Sequence, residues 1–450
     1  MKIDRGLLLL IILALITRLF MLDVRPMDHD ESIHAYLSYV LLKYHYYSYD
    51  PAFHGPFLYF MTAGLFYIFG DSEFVARLTP VLFSILAIYI AYKFKRWIGN
   101  NAYVFAFIML FSPSILYYSR YLRNDIILVA SFLTVVYCYF RYLETKKDKY
   151  IYLAVLFFTI MLCSKENAYI YLFIFISFIF LELIYKKGLN LNLHLLKLNL
   201  KKVVISTIIF CAIFIPLYTA GFSDWSGIKK ATIGAVEHWW EMHEIKDHWK
   251  SINYYAKLII TYEFMPLILT IFAIPYFIKQ RNKLAVFAFY WLVMSLIIYH
   301  IFSHKVPWLL LHIVTPMALF GSIYADRLSK PILVILAVGT IALSFYVTYI
   351  DYNDAVNQGL IYIQVQPSAV ELAKKIIEIS RSNHSIVIYE PNNDYWPLPW
   401  YLRHYQIPFT NKYMEADYIV TSERVNIKKG EIIGRYEIRP FYYMVLIKMH

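Results

Sequence analysis

Cysteine is nearly absent: the 450 residues include three, Cys138, Cys163 and Cys211, each inside an apolar run. That excludes a disulfide framework and a zinc site of paired cysteines, and leaves packing as their role. Glycine is scarce at 14 residues, which excludes collagen-like and Gly-rich linker architectures. Charge is thin: Asp, Glu, Lys and Arg make up 16% of the chain, while 60% is hydrophobic and 19% aromatic. An ordinary soluble domain carries about 25% charged residues, so this much apolar sequence must face lipid. A cytosolic enzyme, a secreted disulfide scaffold and a disordered chain are ruled out. Acidic residues are outnumbered, 31 against 43 basic, giving a net charge of +12. The basic residues fall in short clusters between apolar runs, as in cytoplasmic loops, and not on one face of a soluble domain as nucleic-acid binding requires. No nucleic acid is expected as a partner. The run Gly6 to Leu22 lacks a small-residue cleavage site and is followed by Arg25 and Pro26. It reads as a retained first helix and not as a removed signal peptide.

A membrane span needs about 20 apolar residues. Eleven segments qualify: 6–23, 74–95, 102–119, 126–143, 150–163, 168–185, 203–220, 255–278, 284–301, 309–325 and 331–350. A twelfth, Pro56 to Phe69, is short, and its placement sets the orientation of everything after it. If it lies flat at the interface, the clusters around Lys95, Lys146, Lys187, Lys201, Lys279 and Arg327 all face the cytoplasm together with Lys2 and Arg5. If it spans, all six of those clusters lie outside, opposite Lys2 and Arg5. The positive-inside rule selects the interfacial placement. The fold expected is therefore an α-helical polytopic membrane protein of about eleven spans over residues 1–350, with the first outer loop at 24–73. The tail, 351–450, differs in composition. Pro367 to Ser380 reads as a proline-started helix, and His384 to Tyr389, Ala416 to Thr421 and Tyr442 to Met449 read as strands. A small extracytoplasmic α/β domain is expected there, in a multi-pass protein of the cell membrane.

The unusual polar residues gather in the loops assigned to the outer side. The first reads Asp28-His29-Asp30-Glu31-Ser32-Ile33-His34, then His54-Gly55-Pro56. Asp28 is placed to cap a helix from His29, which puts Asp30 and His34 one turn apart on one face. Arg120 to Asp125 closes the second outer turn, Ser164-Lys165-Glu166-Asn167 makes the next, and Ser303-His304-Lys305-Val306-Pro307-Trp308 follows. Cations at each turn suit the holding of a phosphate and its departure, while a carboxylate takes a proton from an acceptor. For any one cation the plainer reading is snorkelling at a helix end; their recurrence on one side argues for a shared site.

These residues resemble the GT-C membrane glycosyltransferases, which include the protein O-mannosyltransferases and the lipid A aminoarabinose transferase. Asp30-Glu31 matches the Asp-Glu pair of that family's first outer loop, and His54-Gly55-Pro56 its His-Pro-Pro or Glu-Lys-Pro turn, with Gly55 departing from the pattern. Gly70 to Leu78 is similar to the stretch opening the second span, Arg123-Asn124-Asp125 to the second acidic motif, and Lys305-Val306-Pro307-Trp308 to the Lys-x-Pro-aromatic turn. Within GT-C, Asp28 to Ala35, His54 to Tyr59, Ser164 to Asn167 and Tyr395 to Arg403 look like the archaeal flippase activity-associated proteins encoded with N-glycosylation genes. The resemblance implies an inverting transfer of a sugar from a polyprenyl (dolichyl) phosphate to an extracytoplasmic glycan, lipid or protein, with Asp30 as general base. Glu31, His54 and Asp125 would position acceptor or base, Arg123, Lys165 and Lys305 would hold the phosphate, and Glu166 and Trp308 would complete the substrate site. Some relatives bind a divalent metal, for which Asp30 and Asp125 are ligands by analogy; hard oxygen donors would favour Mg or Mn.

The loop 221–254 carries His243 with Asp247 and Glu244 with His248 at i, i+4. That spacing suits zinc, an interfacial helix with a Trp belt, or a cover over a sugar or lipid entrance. Trp396 and Trp400 stack on sugar or, as favoured, dock the tail. The alternative function is a flippase or flippase-associated component for lipid-linked glycans. Transporters place charges at midspan, whereas here Glu263 is the main such residue and the rest gather at one face. An inactive relative that scaffolds glycan assembly is the third reading.

Overall fold

The computed structural model describes residues 4–187, 199–234, 237, 249–302, 304–382, 384–427 and 430–450. Helices fill every one of the eleven expected segments. They are α1 (Arg5–Leu19), α2 (His29–Tyr44), α3 (Phe57–Phe69), α4 (Glu73–Lys93), α5 (Asn101–Phe111), α6 (Pro113–Tyr118), α7 (Asp125–Thr145), α8 (Lys149–Leu162), α9 (Ala168–Lys187) and α10 (Leu200–Tyr218). After the 221–254 loop come α11 (Tyr254–Tyr262), α12 (Phe264–Lys279), α13 (Lys283–Ile301), α14 (Leu311–Ile323) and α15 (Lys330–Phe345). Six helices among the described residues are long and apolar enough to cross a membrane singly, and the α11–α12 pair makes a seventh candidate. The chain is a multi-pass membrane protein.

Two expected spans are not single helices. Segment 255–278 bends by 99° between α11 and α12. Glu263, at the break, has no exposed surface and takes φ −116°, ψ 38°. Its carboxylate accepts from Ser112 Oγ at 2.8 Å and Ser114 N at 2.9 Å, so it caps the start of α6. Segment 102–119 is interrupted in turn at Ser112-Pro113, where Ser112 caps α6 and proline opens it. One buried carboxylate thus joins two helix breaks. A buried arginine serves a similar end in α1. Arg18 donates to Ser84 Oγ, Leu110 O and Met109 O at 2.7–3.1 Å. Arg120 donates to Thr17 O, Arg18 O and Met21 O, closing the end of α1.

The short segment Pro56 to Phe69 forms α3, 13 residues. At about 1.5 Å per residue it reaches roughly 20 Å, short of the hydrocarbon thickness of about 30 Å. Apolar residues crowd both its faces, and Tyr67, Ile68 and Phe69 stay exposed.

The tail builds α16 (Pro367–Arg381) and a five-stranded sheet in the order β2-β1-β3-β5-β4. Its strands are β1 (Ile386–Tyr389), β2 (Phe409–Thr410), β3 (Tyr418–Ser422), β4 (Glu431–Arg439) and β5 (Tyr442–Lys448). Strands β1 to β3 are parallel and β5 runs antiparallel to β3 and β4. The sequence reading missed β2, which is two residues long, and β4, whose exposed Ile432 and Ile433 hide the alternation. Leu372, Ile376, Ile388, Val420 and Leu446 form a core separate from that of the helices. The tail sits on the loop 24–73 and the helix α3 within it. Trp400, 1% exposed, stacks on Phe66 of α3 at 5.9 Å, Arg403 pairs with Asp71 at 2.8 Å, and the Tyr401 hydroxyl accepts from Met27 N. Trp400 therefore docks the tail, while Trp396 meets Tyr36 edge-on at 5.7 Å.

Candidate active site

The site starts at the N-terminus of α2. Asp28 accepts from Asp30 N at 3.0 Å, and the Glu31 carboxylate reaches back to Asp28 N, a capping box that fixes the first turn. Glu31 is wholly buried and both its oxygens are taken. Arg77 Nε and Nη2 donate to it at 3.0 and 2.9 Å, Arg25 Nη2 at 2.9 Å and Leu122 N at 2.8 Å. Burial alone would raise this carboxyl, but Arg25 and Arg77 outweigh it and hold it at about 2. With no free lone pair facing a cavity, Glu31 is a clasp. It ties α2 to α4 through Arg77, to the Arg120–Asp125 turn through Leu122, and to the tail through Arg25, which also donates to Gln364 Oε1 at 2.9 Å.

Asp30, one residue earlier, faces the other way with 36% of its side chain open. Its Oδ2 accepts from Arg123 Nη1 and its Oδ1 lies 3.0 Å from His29 Nδ1. Burial pushes the carboxyl up, yet Arg123 and then His29 hold it well below the usual carboxylate range. Arg123 is buried, its guanidinium 3.6 Å over the Trp308 ring, and its Nε approaches Asp125 Oδ2 at 3.8 Å. Asp125 opens α7 and is 1% exposed; its Oδ1 accepts from Lys165 Nζ at 2.8 Å and from His312 Nε2 at 3.1 Å. Burial pulls the Lys165 ammonium down, partly offset by Asp125. Acid and cation alternate along this chain: Asp30, Arg123, Asp125, Lys165.

The Ser164–Asn167 turn joins the first loop by backbone. Gly55 N donates to Ser164 O and Phe57 N to Cys163 O, both at 2.9 Å. A Cβ at Gly55 would stand 2.2 Å from Cys163 O. Glycine here permits the two loops to touch. The contact brings His54 Nδ1 to 3.0 Å from Glu166 Oε2, and Tyr49 adds a hydroxyl at 3.4 Å. The Glu166 carboxyl, raised by burial, is lowered on balance by His54.

Eight of the nine residues expected from sequence are thus linked by direct contacts or by one chain neighbour: Asp30, Glu31, Asp125, Arg123, Lys165, Glu166, His54 and Trp308. Lys305 keeps different company. Its ammonium donates to Phe302 O at 2.5 Å and Lys250 O at 3.4 Å, closing the end of α13, and burial lowers it. The sequence reading gave no role to Arg25, Arg77 or His312. Arg77 and His312 stand in apolar helices where an unshared polar side chain costs too much to bury without a partner, and that isolation was the available signal. The acids that would share a divalent ion are bridged by the Arg123 guanidinium, and Lys165 and His312 occupy Asp125 Oδ1. Among the described residues no group of three or more His, Cys, Asp and Glu is gathered to hold a metal. The donor set does not fit Mg or Mn. The zinc reading of 221–254 rests on residues outside those described.

A family model described as dolichyl-phosphate-mannose-protein mannosyltransferase matches residues 53–214. No curated protein matches the sequence. Among solved structures, ArnT from Cupriavidus metallidurans bound to undecaprenyl phosphate superposes with a TM-score of 0.72 at 14% identity, over 98% of this chain and 97% of that one. The apo state of the same protein gives 0.71 at 14%, over 98% and 97%. The S. cerevisiae Pmt1-Pmt2 complex bound to the sugar donor aligns at 16% identity over 52% of this chain and 35% of that one, with a TM-score of 0.36. The chain has the fold of ArnT, tail included.

Proposed function

We propose that the protein is a membrane glycosyltransferase that moves a sugar from a polyprenyl phosphate to an acceptor on the extracytoplasmic side, with inversion. The alternation of Asp30, Arg123, Asp125 and Lys165 within an ArnT fold carries this reading. Arg123 and Lys165 take the donor phosphate: a guanidinium gives paired N–H donors, and an ammonium whose charge is disfavoured by burial gains by meeting an anion. Asp125 and Glu31 do not meet substrate. Asp125 holds Lys165 and His312 in place, and Glu31 fixes the turn that aims Asp30.

Asp30 is a weak base while Arg123 grips it. A phosphate that draws Arg123 away removes the charge that depresses the carboxyl, and the base strengthens as the donor seats. The acceptor hydroxyl then gives its proton to Asp30, its oxygen bonds the anomeric carbon, and the bond from that carbon to the phosphate oxygen breaks. The phosphate leaves with the electron pair, its charge held by Arg123 and Lys165. The polar groups lie at loops and helix ends, which favours chemistry at a surface over carriage through the midplane.

The test uses purified full-length protein and polyprenyl phosphates carrying labelled mannose or glucose. Asp30→Asn is expected to abolish transfer, to less than about one per cent of native, since base catalysis contributes about 10²–10⁴-fold. Full transfer by that variant refutes the assignment.

A further inference from the structure

His34 and His54 present the same chemistry from two elements. His34 is 4% exposed on α2, and its Nδ1 lies 2.7 Å from the Tyr59 hydroxyl. That hydroxyl donates its one proton to Phe53 O at 2.6 Å. Nδ1 of His34 must therefore carry the ring proton, which leaves a lone pair on Nε2. His54 reaches the same state through Glu166, whose carboxylate accepts from its Nδ1 at 3.0 Å. Neither Nε2 has a hydrogen-bond partner among the described residues. The ring centres stand 6.4 Å apart, and Asp30 lies one turn before His34. Burial lowers both rings, helped at His34 by Arg123 and at His54 by Lys165, with His34 at about 3. Both are neutral at physiological pH.

We propose that His34 and His54 form the acceptor-recognition site, and that the acceptor is a sugar whose neighbouring hydroxyls donate to the two Nε2 atoms. The proposal rests on the glycosyltransferase reading and names its acceptor class. Two lone pairs select O–H groups, and the neighbouring cations Arg123 and Lys165 are the ones assigned to the donor phosphate. A phosphate or carboxylate acceptor would set lone pairs against lone pairs. A serine or threonine side chain offers a single hydroxyl, which is consumed at Asp30 and leaves both rings unpaired. A sugar brings hydroxyls beside the one that reacts, and unfilled acceptors in such a site cost binding.

The test uses the full chain in nanodiscs, dolichyl phosphates carrying labelled mannose or glucose as donors, and three acceptors: an octyl hexoside, its deoxy analogues and a Ser/Thr hexapeptide. The octyl hexoside should be glycosylated in preference to the peptide, and removing a hydroxyl next to the reacting one should raise KM about tenfold in the native protein. His34→Gln, which keeps an acceptor atom, should hold acceptor KM within about threefold of native, whereas His34→Phe, which keeps only the ring, should raise it about tenfold. Undecaprenyl phosphate affinity should stay within about twofold for both. Preferential transfer to the peptide, a deoxy series with flat KM, or a Phe variant as good as the Gln variant overturns the proposal. Absence of transfer from either donor to any acceptor or to water overturns the glycosyltransferase reading itself, a different failure from transfer that ignores these histidines.

Discussion

Replacing Glu31 by Gln tests whether this acid is a clasp or a reactant. The carboxylate has no exposed surface and takes hydrogen bonds from Arg25, Arg77 and Leu122 N. Its pKa falls from an ordinary 4.5 to about 2, and at about 1.36 kcal/mol per pH unit the charged form favours the folded state by about 3 kcal/mol. The sign is that of a depressed carboxyl: this stabilisation is present above pH 4.5 and is lost as pH falls from there towards 2. A glutamine keeps the shape but leaves two guanidinium groups buried beside it without a counter-charge, for which the expected cost is about 3–5 kcal/mol. Titration of the purified protein with a denaturing detergent measures this loss. Arg77→Met alone should also destabilise, and the double variant should cost at least about 1 kcal/mol less than the sum, because the second change removes a charge the first had stranded. A Glu31→Gln protein within about 0.5 kcal/mol of native, or strict additivity with Arg77→Met, refutes the clasp. Asp30→Asn should separate from it, losing transfer at a smaller cost in stability than Glu31→Gln, since Asp30 stays one-third open to solvent and Arg123 keeps Asp125 nearby.

Gly55→Ala should lower both yield and activity, because its Cβ meets Cys163 O at 2.2 Å and the contact is with backbone that cannot rotate aside; native levels of both would refute the account of that turn. A cysteine at Lys95 should be shielded from a membrane-impermeant thiol reagent in intact cells while one at Asp50 is labelled; the reverse pattern would place the acids and the basic clusters on sides opposite to those assigned. Lys165→Met should weaken undecaprenyl phosphate binding about tenfold or more by removing a charge-assisted contact, and unchanged affinity would remove Lys165 from the donor site.

What the sequence settled by itself was the solvent of each segment and the order of the helices. Long apolar runs separated by basic clusters carry that information locally, because a span must satisfy its own backbone hydrogen bonds and face lipid whatever its neighbours do. The grouping of Asp30, Arg123, Asp125 and Lys165 was legible for a similar reason: charges at helix ends on one side of a membrane have few places to go. What each member does depended on tertiary structure. Asp30 and Glu31 are adjacent in the chain, yet successive residues of a helix point about 100° apart, so one faces an opening and the other is sealed among Arg25 and Arg77. Lys305, similar in its motif to a phosphate holder, donates to Phe302 O at a helix end, a contact its motif does not announce. The bend at Glu263, the meeting of Gly55 with Cys163, and the lone pairs of His34 and His54 all arise between segments scores of residues apart, where no local pattern records which groups will be partnered and which left open.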